Sequence, residues 1–174
     1  METCKHILHQ WKRIALIEEQ VALPNGHNIM HTTISHPGAA VILPIDDDGR
    51  IIMVNQFRPS LKKWLIELPA GTLEKDEPIE ACALRELEEE TGYSAQQLLS
   101  LGQVTPMAGF CDEIQHLFVA KQLTRTQRYS CDEDEVIEVK AFAISELESM
   151  IIHGDITDAK TIACLSKAKL CGYL

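Results

Sequence analysis

The acidic run at residues 86–90 is the part of the chain best suited to chemistry. Glu86, Glu89 and Glu90 are three and four positions apart, and residues with this spacing lie on one edge of a helix. Like charges so placed repel by about a few tenths of a kcal/mol per pair. A divalent cation between them would offset that repulsion, and carboxylate oxygens are the ligands that Mg²⁺ and Mn²⁺ prefer. The spacing therefore predicts a carboxylate site for a divalent metal, although an acidic run alone is also typical of a solvated helix face.

The residues around the acidic run predict one helix over residues 78–91. Pro78 suits a first helical turn, where its missing N–H costs nothing. Asp76 just ahead is a candidate cap, and Gly92 can adopt the left-handed conformation that ends many helices. Apolar residues recur every four positions, which predicts a buried stripe: Ile79, Ala83 and Leu87. The helix would therefore bury one face and present the glutamates along an edge.

The acidic run belongs to a longer pattern. Residues 71–93 read GTLEKDEPIEACALRELEEETGY, with Glu77 and Arg85 at fixed distances between Gly71 and Gly92. This stretch resembles the Nudix box, the signature of hydrolases that cleave a nucleoside diphosphate linked to another moiety. Only the final position departs from the pattern, since it is usually aliphatic and is Tyr93 here.

The resemblance implies a role for each charged residue of the box. The metal site would combine the carbonyl oxygen of Ala70 with three carboxylates: Glu86, Glu89 and Glu90. Glu89 and Arg85 would serve catalysis, with Arg85 orienting carboxylates through hydrogen bonds. Glu77 would contact the metal through a water molecule. We therefore expect Mg²⁺ as the cofactor, with Mn²⁺ as the alternative.

Two upstream segments refine the resemblance. Residues 56–59 (QFRP) and 64–71 (WLIELPAG) look like the ADP-ribose and nucleoside diphosphate sugar branch of this family. By that resemblance Arg58 would contact a phosphate, which a planar guanidinium can bind in a forked manner. Glu67 would bond the nucleobase or ribose side of the ligand. The alternatives are a surface charge at a strand end for Arg58 and a surface strand position for Glu67.

A downstream segment resembles the substrate loop of the same branch. Residues 107–113 read MAGFCDE, where the branch usually reads Ser-Pro-Gly-Phe-x-Asp-Glu. Gly109 and Glu113 are kept and are expected to bind substrate, with Glu113 beside the metal cluster. Ala108 replaces the proline that marks ADP-ribose specificity. The base and the sugar are therefore open, with GDP-mannose as an alternative to ADP-ribose.

An acidic loop at residues 132–135 is the expected source of a general base. In related pyrophosphatases a glutamate of this loop moves in over the substrate, and such closure excludes other water. Glu133 matches that position best and Glu135 second. The alternative is a solvated loop.

Composition limits the function classes. A net charge of −10 over 174 residues argues against nucleic acid, which attracts a basic stripe. An acidic protein acting on an anionic diphosphate implies a bridging metal. No apolar run approaches the length of a membrane span, so we expect no membrane partner. Six irregularly spaced cysteines without a Cys-x-x-Cys pair suggest reduced thiols and a cytoplasmic location.

The elements that must position these residues indicate an α/β (α+β) fold. Residues 1–37 form a small N-terminal β element with a turn at residues 24–26, and residues 38–174 form the hydrolase domain. Strands at 39–45 and 51–57 are expected to pair as a hairpin around residues 46–49. The resemblance implies an α/β/α sandwich with a mixed β-sheet. Members of this branch generally dimerise through the N-terminal strands, so we expect a homodimer, the alternative being an extension packed on its own subunit.

The leading hypothesis is a Mg²⁺-dependent pyrophosphatase of a nucleoside diphosphate sugar. ADP-ribose would give AMP and ribose 5-phosphate, and GDP-mannose would give GMP and mannose 1-phosphate. A second hypothesis keeps the chemistry and changes the substrate to a nucleoside triphosphate or dinucleoside polyphosphate. A third is a non-catalytic sensor of nucleotide sugars, although such proteins often lose part of the glutamate set, which is intact here.

Overall fold

The computed structural model describes residues 5–126 and 136–174. Within these residues the chain forms ten strands and three helices. In chain order they are β1 His6–Trp11, β2 Ile14–Ala22, β3 Asn28–Ser35, β4 Ala39–Pro44, β5 Ile51–Arg58, β6 Lys63–Glu67, β7 Ala70–Thr72, α1 Ile79–Thr91, β8 Tyr93–Val104, β9 Gln115–Arg125, β10 Ile137–Phe142, α2 Ile144–His153 and α3 Ala159–Leu170.

A mixed sheet of order β7-β4-β9-β8 lies at the centre of the described residues. Strands β4 and β9 run parallel, whereas β7 and β8 are antiparallel to their neighbours. A second, antiparallel sheet has the order β10-β5-β6, and the N-terminal strands form a third sheet of order β1-β2-β3.

Strand β4 separates two apolar layers. Ala40 and Ile42 pack in a cluster with α1 residues, whereas Val41 and Leu43 pack in a cluster with residues of α2 and α3. Successive side chains of a strand point to opposite faces, so both faces of β4 are covered by helices. A strand buried on both faces reads as a continuous apolar run, which explains the sequence AAVILP. The expected α/β/α sandwich with a mixed sheet is confirmed.

The expected hairpin between the strands at 39–45 and 51–57 is wrong. Strands β4 and β5 are both buried, but they belong to different sheets and meet only at an Ile45–Ile51 bridge. The reason is that β4 already pairs with β7 on one side and β9 on the other, so neither edge is left for β5. The tight turn itself is present, with the Asp46 N–H donating to the Arg50 carbonyl at 2.9 Å.

Helix α1 has the predicted extent, but its first turn differs in detail. Pro78 lies at the N-cap with extended geometry rather than inside the helix. Asp76, the expected cap, instead has a left-handed backbone with φ 60°. Gly92 ends the helix with φ 72°, as predicted. The side chains of Ala83 and Leu87 are fully buried, and that of Ile79 is partly buried.

Hydrogen bonds join the N-terminal sheet to the rest of its own chain. The N–H of Ile34 donates to the carbonyl of Phe110 at 2.8 Å. Arg13 bonds the Glu74 carboxylate at 2.7 Å. The division of the chain at residue 37 and the dimeric role of this sheet stay predictions.

No helix among the described residues combines the length and the apolar character that a membrane crossing requires.

Candidate active site

Arg85 is the centre of an ion-pair network on α1. Its Nε and Nη2 donate to the two carboxylate oxygens of Glu77 at 2.7 and 3.0 Å. Its Nη1 donates to Glu86 at 2.7 Å and to Glu89 at 2.9 Å. The hydrogen bonds that Arg85 donates to Glu77 lower the pKa of Glu77 to about 2 and raise the pKa of Arg85. One arginine therefore holds three carboxylates of the box together, which is the orienting contact that the sequence predicted.

Glu90 lies on the buried side of the same helix. Its side chain is nearly inaccessible, with 3% of the residue exposed. The N–H of Ala70 donates to its Oε2 at 3.0 Å. This bond ties the C-terminal half of α1 to strand β7, so the glutamates stay next to the loop that precedes the helix. Ala70, predicted as a ligand through its carbonyl, is thus adjacent to Glu90.

Gly71 has a steric role that the sequence did not reveal. A Cβ at this position would lie 1.8 Å from the carboxyl carbon of Glu86. Such a contact is shorter than any van der Waals separation, so residue 71 must be glycine if Glu86 is to keep its place. The glycine at the start of the box therefore makes room for a carboxylate at its centre.

The carboxylates around Arg85 are suited in chemical type to a divalent metal. They supply hard oxygen donors on one helix edge, beside a buried Glu90 and a strand whose glycine leaves space. As the side chains stand, no three metal-binding groups of the described residues are gathered closely enough to hold an ion. Glu86 and Glu89 are instead bonded to Arg85. Metal binding would therefore require these two side chains to share or exchange their contacts with Arg85.

Glu67 is a buried carboxylate with two cationic partners. It is 1% exposed, which contradicts the alternative of a surface strand position. Arg58 bonds it through both Nε at 2.9 Å and Nη2 at 2.6 Å, and Lys160 Nζ also contacts its Oε2. Burial alone would raise the pKa of Glu67, but the hydrogen bonds and charges of Arg58 and Lys160 outweigh burial and lower it. Glu67 is therefore a fixed negative charge.

Arg58 interacts electrostatically both with Glu67 and with a glutamate of α1. Its side chain lies at the end of β5 and is 35% exposed. The hydrogen bonds that Arg58 donates to Glu67 raise the pKa of Arg58, and the charges of Glu90 and Asp158 raise it further. Arg58 therefore lies within electrostatic reach of Glu90, and the predicted phosphate contact and the predicted metal ligand occupy one region.

The loop at residues 105–114 forms one wall of a cleft of about 340 Å³. The opposite wall includes His31 and Thr33 of β3. Glu113 lines the cleft and contacts Gln115 at 3.0 Å and His36 at 4.0 Å. A Cβ on Gly109 would meet nothing within 4 Å. Glu113 thus contacts Gln115 of β9 and His36, which follows β3, whereas Glu86 and Glu89 contact Arg85 and Glu90 contacts Ala70.

The predicted general bases, Glu133 and Glu135, lie outside the described residues.

Sequence reasoning predicted helix α3 over about residues 158–170 but assigned no role to its first residues. Asp158 caps this helix by accepting the N–H of Thr161 at 3.0 Å, and Lys160 contacts Glu67. The sequence could have predicted this cap, because an aspartate such as Asp158 is a preferred N-cap residue and accepts the N–H of the residue three positions later. Nothing local marks Lys160, because its partner is 93 positions away in sequence.

Comparison with known proteins places these features in a family. A sequence model described as the NUDIX domain matches residues 35–163. An ADP-ribose pyrophosphatase of Bacillus subtilis (strain 168) is 40% identical over 167 residues, covering 95% of this chain and 90% of that protein. A GDP-mannose pyrophosphatase of Yersinia enterocolitica is 37% identical over 146 residues, covering 79% of this chain and 75% of that protein.

A solved structure described as an ADP compounds hydrolase has the same fold. It superposes with a TM-score of 0.82 and covers 99% of this chain and 96% of its own, at 18% identity.

Proposed function

The chain belongs to the NUDIX family and is a Nudix pyrophosphatase, and we propose that it hydrolyses the diphosphate linkage of ADP-ribose to AMP and ribose 5-phosphate. The similarity to an ADP-ribose pyrophosphatase over nearly the whole chain supports this substrate. GDP-mannose is the second candidate, because a GDP-mannose pyrophosphatase is only slightly less similar and Ala108 replaces the branch proline.

One observation carries the proposal. Arg85 gathers Glu77, Glu86 and Glu89 on one helix edge, and Glu90 on that helix acts electrostatically on Arg58. The helix that carries the carboxylates thus lies within electrostatic reach of a guanidinium that can bind a phosphate. A diphosphate needs both kinds of group, since the metal neutralises its charge and the arginine fixes its orientation.

Nudix hydrolases generally use divalent metal ions, and we propose Mg²⁺ here. Its protein ligands would be the carbonyl oxygen of Ala70 and three carboxylates: Glu86, Glu89 and Glu90. When bound, the metal stabilises negative charge on the diphosphate and activates water. Mn²⁺ offers the same oxygen preference and is the alternative.

The remaining side chains have proposed roles toward the substrate. Arg58 contacts a phosphate of the substrate. Glu67, beside Arg58, bonds the nucleobase or ribose side of the substrate. Glu113 contributes from the cleft between β3 and the loop, which is large enough for a sugar or part of a nucleoside, and Gly109 contributes from the same loop. Glu133, with Glu135 second, supplies the general base that takes a proton from the attacking water.

A dimer would account for the apolar surface of the N-terminal sheet. Ile7 is 62% exposed, and Leu8 and Trp11 on the same strand are also exposed. An apolar strand at a sheet edge invites pairing with another chain. We propose a second copy of this chain as the partner, with the N-terminal strands at the interface.

We propose a cytoplasmic location, because the cysteines that the structure describes are free thiols. Cys82, Cys111 and Cys164 are free and buried, and burial raises the pKa of Cys82 and of Cys164 to about 12. Such thiols are structural residues of a core rather than halves of a disulfide framework.

The test is turnover with product identification. The purified chain is incubated with Mg²⁺ and, separately, ADP-ribose, GDP-mannose, a nucleoside triphosphate or a dinucleoside polyphosphate, and the products are resolved by chromatography. AMP with ribose 5-phosphate supports the proposal, and GMP with mannose 1-phosphate supports the second candidate. Turnover of triphosphates or dinucleosides alone would overturn the substrate class.

A further inference from the structure

Lys160 sits between two carboxylates at the start of helix α3. Its Nζ contacts Oε2 of Glu67 and bonds Oδ1 of Asp158 at 3.0 Å. The side chain is 12% exposed, an unusual degree of burial for a lysine. Burying an ammonium group is costly unless carboxylates or hydrogen bonds compensate. A buried lysine with two such partners is therefore held in one place.

The partners of Lys160 are themselves fixed. Asp158 accepts two bonds from Thr161, one from its N–H at 3.0 Å and one from its hydroxyl at 2.7 Å. The Thr161 hydroxyl in turn accepts the N–H of Leu68 at 2.8 Å. Because Leu68 directly follows Glu67, helix α3 is joined to the end of β6 twice, through Lys160 and through Thr161.

Glu67 has little freedom under these constraints. Its Oε2 accepts from both Arg58 and Lys160, whereas its Oε1 accepts from Arg58 alone. The two cations approach from different elements, β5 and α3. A carboxylate bonded only to Arg58 could rotate together with the Arg58 side chain. A carboxylate that is also bonded to Lys160 keeps a fixed orientation.

We propose that Lys160 is a positioning residue of the pyrophosphatase: it fixes the carboxylate of Glu67, which in turn holds the Arg58 guanidinium toward the diphosphate. The inference rests on the proposed function, because it takes the diphosphate as the ligand of Arg58. Glu67 accepts hydrogen bonds from two of the five N–H groups of Arg58. The guanidinium therefore has other donors that can bind a phosphate. A fixed guanidinium also loses less freedom when the phosphate arrives.

The first experiment is a kinetic comparison of Lys160→Met with wild type. We expect kcat/KM to fall by about 10- to 100-fold, the loss that a small displacement of a binding group produces. Most of the loss should appear in KM, because a phosphate contact is made in ground and transition states alike. Lys160→Arg, which can still bond Glu67, should recover part of it. Lys169→Met on the same helix, which removes a lysine paired with surface Glu148, should keep wild-type values.

A double-mutant cycle separates positioning from general stability. If Lys160 acts through Glu67, the pair Lys160→Met with Glu67→Gln should be no worse than Glu67→Gln alone. Losses that multiply, or a Lys160→Met variant with wild-type kcat/KM, would overturn the proposal. Should Lys160→Met fail to fold, Lys160→Gln takes its place with the same expectations, because it is uncharged and shorter than lysine but keeps a polar side chain in the buried site.

Binding of inorganic pyrophosphate, measured by calorimetry with Mg²⁺, distinguishes this inference from the proposed function. Weaker binding in both Arg58→Met and Lys160→Met supports the positioning role even if no sugar nucleotide is turned over. Wild-type turnover together with unchanged pyrophosphate binding and unchanged KM in Lys160→Met would overturn the inference and leave the proposed function standing. Pyrophosphate binding that does not depend on Arg58 would also overturn it.

Discussion

The carboxylate of Glu86 occupies the space that a side chain on residue 71 would fill. A Cβ added to Gly71 would lie 1.8 Å from the Glu86 carboxyl carbon and 1.8 Å from its Oε1. The two residues are on different elements, β7 and α1, so a side chain on the strand would displace a carboxylate of the helix.

We therefore expect Gly71→Ala to displace the Glu86 carboxylate and to lower turnover more than stability. The carboxylate is the flexible end of its side chain and can move aside, so the melting temperature should fall little, whereas a displaced ligand should lower kcat by at least about 10-fold. Thermal unfolding and steady-state kinetics measure the two effects. Adding Glu86→Ala to Gly71→Ala removes the steric conflict, so the double variant should regain the melting temperature of Glu86→Ala alone. Failure to regain it would show that Gly71 is required for another reason.

The pair between Glu77 and Arg85 predicts a specific dependence of stability on pH. Arg85 lowers the pKa of Glu77 from 4.5 to about 2. A group whose pKa is lowered on folding stabilises the protein fully above its unfolded pKa, and this contribution is lost as pH falls through the folded value. Glu77→Gln should therefore cost about 1 to 2 kcal/mol near neutral pH, allowing for solvent screening. The cost should shrink steadily between about pH 5 and pH 2.

Chemical unfolding in EDTA at several pH values measures this difference without metal. Glu80→Gln provides the control, since Glu80 lies on the first turn of the same helix and is exposed. Unfolding free energies of wild type and Glu77→Gln that differ by a constant amount across this range would contradict the assignment.

The sequence was sufficient for the features whose signals are local. Helix α1, its end at Gly92 and the grouping of its glutamates follow from periodicity and from one glycine. The mixed sandwich followed from the family resemblance. The helix, its end and the grouping of its glutamates depend on residues within a few turns of one another, so spacing alone can specify them.

The features that sequence reasoning missed depend on contacts between distant segments. Strand β5 could not be assigned to its own sheet, because the partners that occupy both edges of β4 come from residues 70–72 and 115–125. The burial of Glu67 depends on Lys160 in the same way. A charged residue in a strand reads as exposed until the opposite charge that neutralises it is known.

Replacing single glutamates of α1 tests the metal assignment. We expect Glu89→Gln and Glu90→Gln each to lower kcat by about 100-fold or more while the fold persists, because a neutral amide is a poor ligand for a hard cation. Glu88→Gln, between Glu86 and Glu89 on the helix, is the matched control and should retain activity. The increase in melting temperature on addition of Mg²⁺ gives a second reading, since a ligand that binds only the native state stabilises it. Near-normal turnover and an undiminished Mg²⁺ response in both variants would reject these residues as ligands.

The exposed apolar strand β1 predicts the oligomeric state. Wild type should sediment as a dimer at micromolar concentration, and Ile7→Glu should shift the equilibrium toward monomer, because it places a charge in an apolar contact and opposite the same charge of the partner. The control is Ile152→Glu on α2. Ile152 is 80% exposed, more than Ile7 at 62%, but it lies outside the N-terminal sheet. Loss of the dimer in both variants would show that added charge alone dissociates it, wherever the charge is placed. A wild type that sediments only as a monomer would reject the N-terminal sheet as an interface.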